Sequence, residues 1–388
     1  MDPTPDREHP LDPFPRYQRM RDTAPVFHDE ESGSWHVFRY EDVQRVLSDH
    51  AAFSSRMRPD EPSESGHLFE SSLITTDPPR HRQLRSLVTQ AFTPKAVDAL
   101  APRIARLADD LLDGIAARGT ADLIEELAYP LPVIVISELL GVPAEDRDRF
   151  KLWSDVIVSQ TRTGAPTAEH EAANREMTEY FLALIEQRRS RPGTDLVSGL
   201  LAADIDGQKL SVPELLGFCS LLLVAGNETT TNLIGNAVLC FTEVPGTMER
   251  LRRDPALLPQ AIEEVLRYRS PVQSMYRITA AATELRGVRI PAGAPMVAWI
   301  GSANRDERQF PQAAEFDVER APNRHLAFGH GVHFCLGAPL ARLEARTALQ
   351  ATLARLPGLA VAPTPPLERM DSTIVYGLKA LPVNWQAA

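Results

Sequence analysis

The chain has 388 residues, 43% apolar and 24% charged, which is an ordinary composition for a protein with a sizeable core. Its net charge of −11 excludes general nucleic-acid binding, while leaving room for a local basic patch. Three scattered cysteines, Cys219, Cys240 and Cys335, argue against a disulfide framework and fit a reducing cytoplasm. The acidic, polar N-terminus is unlike a signal peptide. The longest apolar run, 215–225, falls short of the roughly 20 residues of a membrane span. About 150 residues per domain would allow two or three domains. With no repeat and no linker in view, a single domain over 1–388 is expected, without a fused reductase.

In chain order, Val26-Phe27-His28 and residues 35–38 read as two strands around the Ser32-Gly33-Ser34 turn, and 40–47 as a short helix. Residues 54–72, rich in Ser, Glu and Pro, form a candidate mobile loop. Asp77 is placed to cap the next helix, with prolines in its first turn. Helical patterns then cover 94–118, 131–140, 144–160, 168–189 and 196–203, with a connector at 161–167. A long helix starts at the capping box Ser211-Val212-Pro213-Glu214 and runs to Thr242, and another covers 258–268. Residues 275–278, 288–290 and 296–300 read as strands. An irregular stretch, 304–323, leads to a glycine-rich loop and a helix over 338–356, and 359–385 reads as short strands with turns. The expected class is mainly α with a minor, segregated β region.

Cys335 lies in the stretch Leu326-Ala327-Phe328-Gly329-His330-Gly331-Val332-His333-Phe334-Cys335-Leu336-Gly337-Ala338-Pro339. The following helix points its positive end at the loop, which favours a thiolate and hence a metal such as haem iron. A lone cysteine is also an ordinary small hydrophobe, and His330, His333 and Cys335 leave zinc open. In the long helix, Ala225-Gly226-Asn227-Glu228-Thr229-Thr230-Thr231 interrupts an apolar run. Glycine there costs about 1 kcal/mol against alanine, and an acid beside a hydroxyl can relay protons. A polar patch on an amphipathic face is the plainer reading. Glu264 and Arg267, spaced i, i+3, read by themselves as a surface ion pair.

Together these features resemble the cytochrome P450 family. Phe328-x-x-Gly331-x-His333-x-Cys335-x-Gly337 is similar to its haem-binding signature, Ala225-Gly226-x-Glu228-Thr229 to its oxygen-activation motif, and Glu264-x-x-Arg267 to its structural ion pair. Asp77-Pro78-Pro79-x-His81 and Ala338-Pro339-Leu340-Ala341-Arg342 extend the likeness over nearly the whole chain, in the pattern of soluble bacterial members.

The resemblance implies the P450 fold, with a long central helix over haem b (iron protoporphyrin IX). Cys335 would be the axial ligand and Phe328 its shield, with Gly329, Gly337 and Ala225 beside the haem. His81, Arg85, Arg277 and His333 would meet the propionates. Thr229 and Glu228 would feed protons to oxygen, beside a helix groove widened at Gly226. Glu264, Arg267 and Arg320 would lock the core. The implied reaction is monooxygenation, with electrons from a separate ferredoxin and its reductase. The donor would dock on a proximal face carrying Arg82, Arg342 and Arg346. Leu73, Ile74, Val224, Val272, Met275, Ile374 and Val375 would line a pocket for a lipophilic small molecule. A cytoplasmic monomer without membrane or nucleic-acid partners is expected. A peroxide-driven peroxygenase, a non-catalytic haem sensor and a zinc protein are the competing readings. The intact Glu228-Thr229 pair speaks against the first two of these.

Overall fold

The computed structural model describes residues 12–56, 72–150, 152–153, 156, 167–205, 207–370 and 372–387. Most of the 54–72 stretch and nearly all of the 161–167 connector lie outside them. The chain separates into two compact units. One comprises Met1–Ser54, Ala105–Ala128 and Thr229–Ala388, the other Ser55–Ile104 and Tyr129–Glu228.

The first unit holds all the named strands among the described residues; the second has only an isolated bridge, Ile205↔Gln208. A five-stranded sheet runs in the order Val26–His28, Trp35–Val37, Pro295–Ala298, Met275–Thr279, Phe53–Ser54. Its one parallel pairing, Trp35↔Met296, joins residues more than 250 apart in sequence. Thr120–Asp122, Pro382–Asn384 and Ala360–Val361 form a second sheet, and Thr283–Leu285 pairs with Val288–Ile290 as a hairpin. The expected strand 296–300 stops at Ala298 and gives way to a helical turn, Ile300–Ala303. It also does not pair with 288–290, so the proline-bounded loop between them connects two different sheets. Against the large sheet pack Val43, Val46, Leu47, Phe310 and Leu326, all buried. The helices Thr247–Arg253 and Leu258–Tyr268 pack on Ala338–Arg355.

The second unit is helical among its described residues: Arg80–Ala91, Pro94–Asp98, Pro130–Leu140, Ala168–Ser190, Leu196–Ala202 and the first turns of the long helix Val212–Glu243. Two expectations need correction. The helix expected over 94–118 breaks after Asp98 and resumes as Ala101–Asp113. Pro102 has no N–H to donate and its ring would clash with the carbonyl of Asp98. Asp77 is not the N-cap residue, a position that Pro79 takes. The helix opens at Arg80, and the Asp77 carboxylate instead accepts from Ser55 N–H at 2.9 Å.

Several sequence signals have direct physical counterparts. In the capping box, Ser211 N–H donates to Glu214 Oε2 (2.9 Å) and Glu214 N–H to Ser211 Oγ (3.4 Å). Arg80 joins it with a two-pronged ion pair to Glu214 (2.6–2.8 Å), tying the start of the long helix to the start of Arg80–Ala91. Burial alone would raise the Glu214 carboxyl; its bonds to Ser211 and Arg80 outweigh that and lower it.

Candidate haem-thiolate site

The Cys335 loop is a hairpin pinned from behind. Cys335 N–H donates to Phe328 C=O (2.8 Å), and Gly329 N–H to Leu326 C=O (2.8 Å). Gly331 has φ 71°, and a Cβ there would stand 2.9 Å from Ser48 Cα. Glycine therefore serves twice at that position, for the backbone turn and for the close approach of the helix Tyr40–Ser48. At the loop entrance, Leu326 N–H donates to buried Asn304 Oδ1 (2.7 Å), whose amide nitrogen donates to Ser270 Oγ (2.8 Å).

A charged brace completes the hold. Ala327 N–H donates to His325 Nδ1 (3.2 Å), so the ring proton sits on Nε2 and is given to Glu263 Oε2 (3.1 Å). Arg342 donates two 2.7 Å bonds to Glu263, and its guanidinium lies 4.5 Å from the Phe328 ring centroid. Burial raises the Glu263 carboxyl, but the bonds from Arg342 and His325 outweigh it and bring it down to about 2. Arg342 was expected in a docking patch; its charge is already committed to Glu263, while Arg346 and Arg82 are exposed.

Cys335 itself is exposed on this rigid frame, and the helix Ala338–Arg355 begins just beyond it. Gly337 sits 4.0 Å from the sulfur by its would-be Cβ. Among the described residues no three His, Cys, Asp or Glu side chains gather as a metal set. A single presented thiolate fits a haem, whose porphyrin supplies the other in-plane ligands. The same unit buries Arg277, which donates to Tyr276 C=O (2.7 Å), and half-buries His333. Buried His81 and half-buried Arg85 lie on Arg80–Ala91 in the second unit.

The Glu264–Arg267 pair is not a surface pair: both side chains are 0% exposed. Arg267 donates twice to Glu264 at 2.7 Å and to the carbonyls of Asn304, Ala313 and Glu315. Arg320 Nε (3.1 Å), Asn323 Nδ2 (3.0 Å) and Asp317 N–H (3.0 Å) all reach Glu264. The irregular stretch 304–323 is thereby folded around one buried carboxylate, directly before the cysteine loop.

On the long helix Ala225 is exposed, Val224, Gly226, Glu228 and Thr229 are half-buried, and Asn227 and Thr230 are buried. Gly226 has a packing reason besides the oxygen groove, because a Cβ would come 3.0 Å from Ile136 Cδ1. Thr230 is hydrogen-bonded to Glu344, a buried carboxyl that motif reading passed over. The signal was present: Leu340, Glu344 and Ala348 share one helical face at i, i+4 spacing, with an acid in the apolar row. Of the expected pocket residues, Val272 and Val375 face each other in a bridge, and Gln273 N–H donates to Ile374 C=O (2.6 Å). Met275 is half-buried on the large sheet, packed with Val272 against its core. Leu73 is buried and Ile74 exposed in a 3-10 turn of the second unit.

A model of the cytochrome P450 family matches residues 8–373. The chain belongs to the cytochrome P450 family. A cytochrome P450 from Bacillus subtilis, YjiB, described there as putative, is 46% identical over 96% of this chain and 93% of its own length. The P450 monooxygenase PikC of Streptomyces venezuelae is 42% identical over 97% and 91%. The crystal structure of CYP109E1 from Bacillus megaterium, in complex with testosterone, superposes with a TM-score of 0.91 at 45% identity, covering 98% of this chain and all of that one. This P450 is therefore a haem-thiolate monooxygenase by family, mainly α with a minor β part. No helix among its described residues is long and apolar enough to cross a membrane.

Proposed function

We propose that this P450 inserts one oxygen atom of O2 into a lipophilic small molecule, by hydroxylation or epoxidation, using electrons from a separate ferredoxin and its reductase. The observation that carries the reading is the exposed thiol of Cys335 on a loop braced from four sides, since a metal ligand must be presented and still. Haem b, when bound, supplies the iron and porphyrin that accept electrons and activate oxygen. Cys335 would hold the iron, and Phe328, whose ring lies under the Arg342 guanidinium, would shield the sulfur. His81, Arg85, Arg277 and His333 would bind the propionates, and Ala225, Gly329 and Gly337 would be the small residues that admit the macrocycle.

Glu228 and Thr229 hold and hand on protons to the oxygen being reduced, and Gly226 leaves the helix surface open beside them. Leu73, Ile74, Val224, Val272, Met275, Ile374 and Val375 supply an apolar substrate surface. The relatives support the substrate class: CYP109E1 was crystallised with testosterone, and a Micromonospora griseorubida relative is a mycinamicin IV hydroxylase/epoxidase. The experiment is turnover of a steroid and macrolide panel with a surrogate ferredoxin system. Oxygenated product that needs the donor, and whose yield per electron falls in T229A with release of peroxide, is the expected result. Product formed equally from hydrogen peroxide without a donor, or T229A coupled like the wild type, contradicts the reading.

A further inference from the structure

Two segments of the apolar substrate surface are zipped into one wall. Val272 and Val375 face each other in an antiparallel bridge, and Gln273 N–H donates to Ile374 C=O (2.6 Å). Tyr376 N–H donates to Pro271 C=O (2.8 Å), and Ser274 Oγ to Thr373 C=O (3.2 Å). An apolar substrate offers few polar handles, so the place of such a wall decides how it lies.

The wall is tied to the long helix by one side chain. Asn236 is 0% exposed, and its Nδ2 donates to Arg269 C=O and to Tyr376 C=O, both at 3.1 Å. Only the NH2 end of an amide can meet two carbonyls, so the orientation of Asn236 is fixed. Those carbonyls flank the wall: Arg269 precedes Val272 by a short step, and Tyr376 directly follows Val375. Asn236 Oδ1 has no partner in the protein, a place that bound water normally takes.

One turn earlier the helix and the wall meet again. Asn232 is buried, and a Cβ on Gly377 would overlap its amide. Gly377 is not among the glycines with positive φ, so it is needed there for space and not for a turn. Thr229, Asn232 and Asn236 stand at i, i+3 and i+7, on one face of the helix. Helical rise puts Asn236 about 10 Å along the axis from Thr229.

We propose that Asn236 is a positioning residue that sets the regiochemistry of oxygen insertion, by fixing the substrate wall at a set distance from Thr229 along the long helix. The inference rests on the monooxygenase reading, in which Val272, Ile374 and Val375 meet the substrate. Asn236 touches no substrate itself. It transmits the rigidity of the helix to both strands of the wall, and Gly377 lets the wall come close enough to be held. A small displacement of the wall presents a different carbon to the oxygen.

The test is turnover of testosterone, with the rest of the steroid and macrolide panel, in the surrogate ferredoxin system. N236L keeps the bulk of the side chain and loses the donor; N236S is the milder variant should N236L fold poorly. Each should shift the regioisomer distribution by about threefold or more and raise KM by up to about tenfold, with a smaller change in kcat. G377A, which pushes the wall off the helix with Asn236 intact, should also redistribute the products. The reduced-CO spectrum should be retained in all three. H36Q, which weakens the large sheet without touching the wall, should leave distribution and KM unchanged. Wild-type distribution and KM in both Asn236 variants, or a wild-type distribution in G377A, overturns this inference alone. So does the same redistribution in H36Q, or loss of the CO spectrum in both Asn236 variants, because the role is then one of general stability. A wild type that forms no donor-dependent product overturns the monooxygenase reading along with it.

Discussion

Glu263 shows how one side chain can govern a loop it does not belong to. It collects Arg342 and His325, and through them Phe328 and the Ala327 N–H. Its carboxyl lies at about 2 in the folded protein against an ordinary 4.5, so the unfolded chain takes up the proton first. The stabilisation is present above about 4.5 and is lost as pH falls toward about 2; it amounts to at most about 3 kcal/mol. E263Q should flatten that acid limb of stability, measured by denaturant unfolding from pH 6 to pH 2; an unchanged limb would remove the brace from the account. Gly226 gives a second test at this scale. Alanine gains about 1 kcal/mol of helix propensity, but its Cβ meets Ile136 Cδ1 at 3.0 Å. A double-mutant cycle should find G226A more stabilising by about 1 kcal/mol in an I136V background than alone. The motifs around Cys335 and around Glu228-Thr229 could each be read because each is carried by a short run of neighbouring residues. His325 could not, because its meaning depends on Glu263, 62 residues away.

Elements were legible where local chemistry sets their ends. The capping box opened the long helix as expected, and the helices near 131–140, 168–189 and 258–268 stand within a residue or so of their expected bounds. The break before Ala101 was available from Pro102 but was masked by the apolar periodicity on both sides of it. The Glu264–Arg267 spacing could not reveal burial, since the groups that enclose it come from 304–323, beyond the helix. Removing one partner leaves an uncompensated buried charge, so R267A should cost about 3–5 kcal/mol. E264Q should also lower the fraction of protein recovered with haem, because the stretch it organises feeds the cysteine loop. Haem retention equal to wild type in E264Q would separate the two.

At the scale of the molecule, the large sheet was the least legible part. Its strand order depends on pairings such as Trp35↔Met296 that no local pattern encodes. One buried polar pair marks the join: Trp299 Nε1–H donates to His36 Nδ1 at 2.9 Å. The His36 proton is then on Nε2, toward Ser34 Oγ at 2.8 Å, and the ring must be neutral. Burial lowers His36 from 6.5 to about 4. The unfolded chain binds that proton first, so this contribution is full above about 6.5 and is lost as pH falls to about 4. H36Q should lower the unfolding midpoint at pH 7 and reduce its fall between pH 6.5 and 4. An identical fall in H36Q would mean that other groups set it.

The central claim is that Cys335 presents a thiolate to haem iron. It is tested most directly by the absorption spectrum of the purified, reduced protein under carbon monoxide. The account predicts the strongly red-shifted Soret band of a thiolate-ligated haem, lost in C335A. A reduced-CO spectrum without that band, or one that persists in C335A, would contradict it.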